Sequence, residues 1–235
     1  MTLKDSVFEA SSPLRHMTEL SQVFKQAGIN TILKLIVLLY TYGGPDHRST
    51  YVSVQASLIC FFLRHNLDLL VAARTAPMNS YRNPAERAMA LLTLALYGVG
   101  TMRQPLPPDL EKIVTGLNSM KAIRQAAATA PGLKEAIRES LQPVKQLLNS
   151  QFERPKLHDQ PVRTGPPAVE NEVQELWQEM QRVDPSLQRS DTAAAAVRGK
   201  VAFQAFLQHC TVSEQYFISI KSVEAANATC ACHSH

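Results

Sequence analysis

Ile32-Leu33-Lys34-Leu35-Ile36-Val37-Leu38-Leu39-Tyr40, followed by Thr41-Tyr42-Gly43-Gly44-Pro45-Asp46-His47-Arg48, decides how this chain is read. The first run is nearly all apolar and β-branched, as in a strand covered on both faces. The second holds two glycines and a proline, which rule out a regular element. Ser49 to His65 then reads as a helix, with Val52, Leu58, Ile59, Phe62 and Leu63 roughly on one face and Asn66 at its end. Leu67 to Thr75 is a second strand, and Ala76 to Pro84 a loop. Asn83 and Pro84 suit the cap and first residue of a long amphipathic helix, with Glu86 in the first turn and Met89, Leu92, Leu94 and Leu96 carrying it to Gly98 or Gly100. This βαβα order predicts a parallel pair with a right-handed crossover. The loop after a parallel strand and the first turn of the next helix reach the carboxyl edge of the sheet, where sites are built.

Upstream, Ser11-Ser12-Pro13 is a helix start, and Leu14, Met17, Leu20, Val23 and Phe24 recur at helical spacing to about Gln26. Downstream the character changes at Pro105, Pro107 and Pro108. Asp109–Met120, Lys121–Ala130 and Leu133–Gln151 read as short helical segments, divided by Gly116 and by Pro131-Gly132. Residues 155–168 hold four prolines and Gly165 and are expected to be a flexible linker. Val169 to Val183 is a helix around Trp177, Thr192 to Gln208 an alanine-rich one, and Gln215 to Ile220 a short strand. The expected segmentation is 1–103 for the α/β part, 104–154 for a helical extension, 155–168 for the linker, 169–208 for a helical segment and 209–235 for a Cys/His-containing tail.

The chain has 235 residues, 45% hydrophobic and 19% charged, enough for a packed core. Its net charge of +4 permits contact with nucleic acid without requiring it. Cys60, Cys210, Cys230 and Cys232 do not make a secreted disulfide pattern, and residues 1–12 hold no apolar signal core. The longest apolar runs are too short or too interrupted to span a bilayer. The expectation is a reducing, intracellular protein with no membrane partner.

Thr41 to Tyr51 (TYGGPDHRSTY), Ala73 to Pro77 (ARTAP) and Ser80 to Met89 (SYRNPAERAM), in this order, resemble the catalytic core of DDE transposases and retroviral-type integrases. They look closest to transposase-like proteins of animal genomes with a T-D-G-G-P-D-H-R loop and an N-P-x-E-R helix start. The resemblance covers about Ser11 to Gly100, with a worn match from His209-Cys210 to Cys232. It implies a ribonuclease-H-like α/β domain, here a partial βαβα unit followed by a mainly helical half, with DNA as partner and the nucleus as location; without the resemblance, the cytoplasm serves as well. In that family three carboxylates hold two Mg²⁺ or Mn²⁺ ions, which activate a nucleophilic oxygen and stabilise the leaving oxygen of a phosphodiester. Glu86 matches the third carboxylate. The second belongs at position 42, which is Tyr42. The first belongs on a strand for which the residues before Ser11 leave too little room.

A neutral phenol does not replace a metal-bridging carboxylate, so the expectation is a transposase-derived fragment that is catalytically inert. Asp46 is the candidate stand-in ligand; with His47 it also reads as an ordinary turn residue bonded within its own loop. Glu86 alone also reads as a first-turn acid complementing the helix dipole. Arg48, Arg74, Arg82 and Arg87 fall in or beside the two site loops and are candidates for a phosphate groove, or else a solvated face. Cys210, Cys230, Cys232 and His233 offer the thiolate and imidazole donors that suit Zn²⁺, although a one-residue gap between Cys230 and Cys232 is narrower than the usual zinc knuckle; the alternative is an end with free thiols. Trp177, with Leu176 and Met180, reads as a packing cluster. Two rival functions stay open: a strand transferase or nuclease completed by another chain, and a helical protein-interaction module. A sheet lacking its first strands has an open edge, which calls for a covering protein partner.

Overall fold

The computed structural model describes residues 1–29, 35–42, 44–76, 78–187 and 199–222. Among these the architecture is mixed α/β, with eight α-helices and two small sheets. The contacts divide the chain into two interleaved units: residues 1–10 with 87–167, and residues 11–86 with 168–235.

The second of these units holds the main sheet. β1 (Ile36–Thr41) and β2 (Leu69–Arg74) pair in parallel over their whole length, Ile36 opposite Leu69 and Thr41 opposite Arg74. The helix joining them, α2 (Val52–Arg64), is shorter at its start than the sequence predicts, because Ser49–Tyr51 turn into it. It is also buried nearly all round, from Val52 through Phe62, and not on one face; a helix apolar on every side belongs inside. Asn66 takes a positive φ of 46° and ends it, as its residue type suggests. α1 (Pro13–Gln26) starts where the Ser-Pro signal lies: Ser12 Oγ accepts the Arg15 N–H at 3.2 Å.

Two strands from the far end of the chain complete the sheet. β5 (Thr211–Ser213) and β6 (Phe217–Lys221) form a hairpin, and β6 runs antiparallel beside β2, giving the order β1-β2-β6-β5. The side chains alternate. Leu70, Ile218 and Ile220 are fully buried on one face, where they join Ile59, Phe61, Trp177, Met180 and Phe203 in a single core. On the other face of β1, Ile36 and Leu38 stay 72% and 71% exposed. β1 has no outer strand neighbour among the described residues. The core also takes in α7 (Glu170–Trp177), the 3-10 turn Gln178–Arg182 and α8 (Val201–Cys210). Trp177 is buried at the centre of this cluster. Arg15 binds the start of α7 to α1 by donating to the Ala168 carbonyl and, at 2.9 Å, to Glu170.

The other unit is helical. α4 (Pro108–Val114), α5 (Met120–Thr129) and α6 (Leu133–Glu153) follow the three segments expected, around Leu106, Leu133 and Ile137. The stretch expected to be a linker holds a two-residue hairpin, β3 (Lys156–Leu157) with β4 (Gln160–Pro161). Its turn places both His158 and Asp159 at positive φ, the geometry that matches the strand twist in a tight hairpin. α3 (Pro84–Ala95) begins in the sheet-bearing unit and continues into this one, and none of its side chains is buried.

His65 is buried at the end of α2, its Nε2 2.9 Å from Ser21 Oγ and its ring packed against Phe61 and Phe24. Burial lowers its pKa below the ordinary 6.5, helped by the nearby Arg64 and Lys25 charges. The unfolded chain therefore takes up this proton more readily than the folded one. The stability that neutral His65 contributes is complete above about pH 6.5 and is lost as the pH falls through the lowered folded value. Thermal melts from pH 7.5 to 5 are expected to show a falling midpoint, with a shallower fall in His65→Phe; identical slopes in the two proteins contradict this assignment.

Candidate nucleic-acid interface

The ends of β1 and β2 lie level, since Thr41 pairs with Arg74 and the Thr75 N–H and hydroxyl both donate to the Thr41 carbonyl, at 2.8 and 3.0 Å. β6 is antiparallel to β2, so the β5–β6 turn comes to this same edge. There the Arg74 N–H donates to the Tyr216 carbonyl at 2.8 Å. Three loops thus meet at one end of the sheet: that after β1, that after β2, and the hairpin turn.

Tyr42 is the first residue beyond β1 and is 61% exposed. Its ring folds back over Gly44, where a Cβ would lie 2.2 Å from the phenol oxygen. Asp46 sits in a 3-10 turn, Pro45–His47, and its Oδ2 lies 3.4 Å from His16 Nε2 on α1. The same imidazole nitrogen is 2.8 Å from Ser11 Oγ, while Nδ1 is 3.8 Å from Glu19 and the ring stands 5.0 Å from that of His47. Asp46 thereby fastens its loop to α1. Glu86 lies exposed in the first turn of α3, whose start follows the expected pattern: the buried Asn83 accepts the Ala85 N–H at 3.0 Å through Oδ1, and Pro84 is the first helical residue. Among the described residues no group of three or more His, Cys, Asp and Glu side chains is placed to hold a metal ion.

Three of the four candidate arginines share one arrangement. The Arg48 guanidinium lies 4.9 Å above the Tyr51 ring and donates to its hydroxyl at 3.1 Å. Arg74 lies 4.9 Å above Tyr216 and donates to the Gln215 carbonyl at 2.9 Å. Arg82 lies 5.7 Å from the Tyr81 centroid and donates to that hydroxyl at 3.2 Å. Each is a cation held over an aromatic face. Arg87 is exposed and belongs to the helical unit.

Sequence reasoning missed the tyrosines. Tyr81 adjoins Arg82 and Tyr51 follows Arg48 by three residues, so two partners stood in plain view. Tyr216 could be found only by placing the last strand beside β2. Nothing in the sequence signals that His16 meets Asp46. Cys210, the one cysteine among the zinc candidates within the described residues, is buried at the end of α8 beside His209, and burial pushes its thiol pKa up, toward the neutral form that binds metals poorly. Cys230, Cys232 and His233 lie outside the described residues.

The chain matches no protein-family model, no curated protein and no solved structure. In the candidate loop, Gly44 has an ordinary φ of −60°, the three atoms nearest a Cβ there all belong to the Tyr42 side chain, and that exposed ring has solvent to move into. Gly44→Ala is expected to change stability by less than about 1 kcal/mol while shifting the Tyr42 ring resonances. A loss of several kcal/mol, or unmoved resonances, would show the ring is placed otherwise.

Proposed function

We propose that this chain is a transposase-derived protein that has lost phosphodiester chemistry and keeps a nucleic-acid-binding edge. The observation that carries the reading is Tyr42. It stands one residue beyond β1, where the resemblance to DDE transposases requires a metal-bridging carboxylate. The surroundings support that ancestry at the level of topology: a parallel pair joined by α2 and followed by α3 with an acid in its first turn.

The residues do not fit a two-metal centre. Two adjacent divalent ions need several carboxylates between them to offset their mutual repulsion. Here position 42 offers a phenol in place of a carboxylate, Asp46 is engaged by His16, and Glu86 is exposed. What the edge offers instead is three guanidinium groups, each with donors to spare for phosphate oxygens. If nucleic acid is the partner, the nucleus is the natural location.

A second reading, a protein partner that lies along β1, is supported by the open strand edge and the exposed Ile36 and Leu38. It is compatible with the first, because it uses a different part of the sheet.

Nicking of supercoiled DNA with Mg²⁺ or Mn²⁺ tests the loss of chemistry. The chain as given and Glu86→Gln are both expected to be inactive. Activity in the chain as given that Glu86→Gln abolishes would overturn the reading. Activity confined to Tyr42→Asp would support it directly, by showing that one substitution silenced the centre.

A further inference from the structure

The chain has six tyrosines: Tyr40 lies near the carboxyl end of β1, Tyr42, Tyr51 and Tyr81 in the loops beyond β1 and β2, Tyr216 in the β5–β6 turn that meets the same edge, and Tyr97 elsewhere. They are not core residues. The fully buried aromatic side chains of the sheet-bearing unit are Phe61, Phe203 and Trp177, whereas Tyr51 and Tyr81 remain 41% and 71% exposed with a guanidinium over one face. Tyr51 and Tyr81, exposed, and Tyr216, half-buried, are each fixed by a neighbouring arginine and present flat apolar surfaces along this edge. Such surfaces suit a ligand with flat apolar faces and anionic links between them.

The charges at the rim decide between two forms of nucleic acid. Arg48, Arg74 and Arg82 stand against Asp46, Glu86 and Glu214 on the same three loops and the helix start, where Arg87 follows Glu86, so the surplus is one positive charge. A duplex shows its partner phosphates and groove edges, and is held chiefly by an excess of cations. A surplus of one charge is too small for that. A single strand also offers unstacked base faces, and stacking on an aromatic ring needs no net charge. The arginines then serve twice, holding the tyrosine rings in place and donating to the passing phosphates. Rings fixed before the ligand arrives cost less entropy to immobilise on binding.

We propose that the loop edge of this sheet binds single-stranded nucleic acid in preference to duplex, by stacking bases on Tyr51, Tyr81 and Tyr216 beside their arginines. The proposal rests on the nucleic-acid reading above and adds the form of the ligand. Stacking does not read the sugar, so single strands of DNA and RNA are bound alike.

Fluorescence anisotropy with the full chain tests it, using labelled 20-mers of oligodeoxythymidylate and oligouridylate and a duplex of equal length. Both single strands are expected to bind at least ten-fold more tightly than the duplex. With at most three phosphates contacted, the logarithm of the binding constant should fall against the logarithm of salt with a slope of about −2 or shallower. The double variant Tyr51→Leu/Tyr81→Leu is expected to lose at least ten-fold on single strands and a smaller factor on duplex, since Arg48 and Arg82 lose their ring partners but keep their charge. Both side chains are exposed, and an unaltered melting midpoint confirms that the variant folds. Equal affinity for duplex and single strands, or full single-strand affinity in the double variant, would overturn the single-strand proposal and leave nucleic-acid binding standing. A hundred-fold difference between the two single strands would overturn the stacking account. Absence of binding to all three probes would overturn both this proposal and the reading beneath it.

Discussion

β2 is an inner strand, and everything else in the sheet follows from that. A strand packed on an apolar core cannot leave a row of N–H and C=O groups unpaired, because each one buried without a partner is costly. β1 satisfies one side of β2 through a parallel ladder. The other side is satisfied by β6, from Leu69 opposite Lys221 to Ala73 opposite Phe217. The ladder also carries the Arg74 N–H to the Tyr216 carbonyl. One demand, that the backbone of β2 be paired on both sides, thus closes the core with Ile218 and Ile220 and delivers Tyr216 to Arg74.

The local elements were legible because their signals are local. Ser12-Pro13 and Asn83-Pro84 act within a turn of themselves, and both start helices as read. The parallel pair was legible because two apolar runs joined by one helix leave few other arrangements. The β5–β6 hairpin was only half visible, as a strand at 215–220 with no assigned neighbour, since register between segments far apart in sequence has no local mark. The same distance hid the Arg74–Tyr216 pair and the His16–Asp46 contact. The uniform burial of α2 shows the reverse error: its apolar residues were assigned to one face, although Val54, Ala56 and Phe61 already supplied the others. In the proline-rich stretch 155–168, composition points to a linker, while the hairpin depends on positive φ at His158 and Asp159, residue types that enter the left-handed region more readily than most.

The candidate edge combines features that pull in different directions. Its two conspicuous acids have ordinary structural employment: Asp46 holds a loop to α1, and Glu86 occupies a helix start where negative charge is favoured. The arginines are likewise used within the protein, each against a tyrosine. These contacts organise three loops without a metal ion and leave guanidinium donors and ring faces open to solvent.

The two units alternate along the sequence: the first ten residues belong with 87–167, and residues 11–86 belong with the end of the chain. This has a consequence for the nascent protein. The helices α4 to α6 and their core around Leu133 emerge as one continuous stretch and can assemble while the polypeptide is still growing. β2 emerges much earlier but waits, half paired, until residues 217–221 have left the ribosome. Throughout that interval its free side is open to other chains on the same polysome, so the period of greatest exposure to misassembly is set by the length of the intervening segment and the pace of translation.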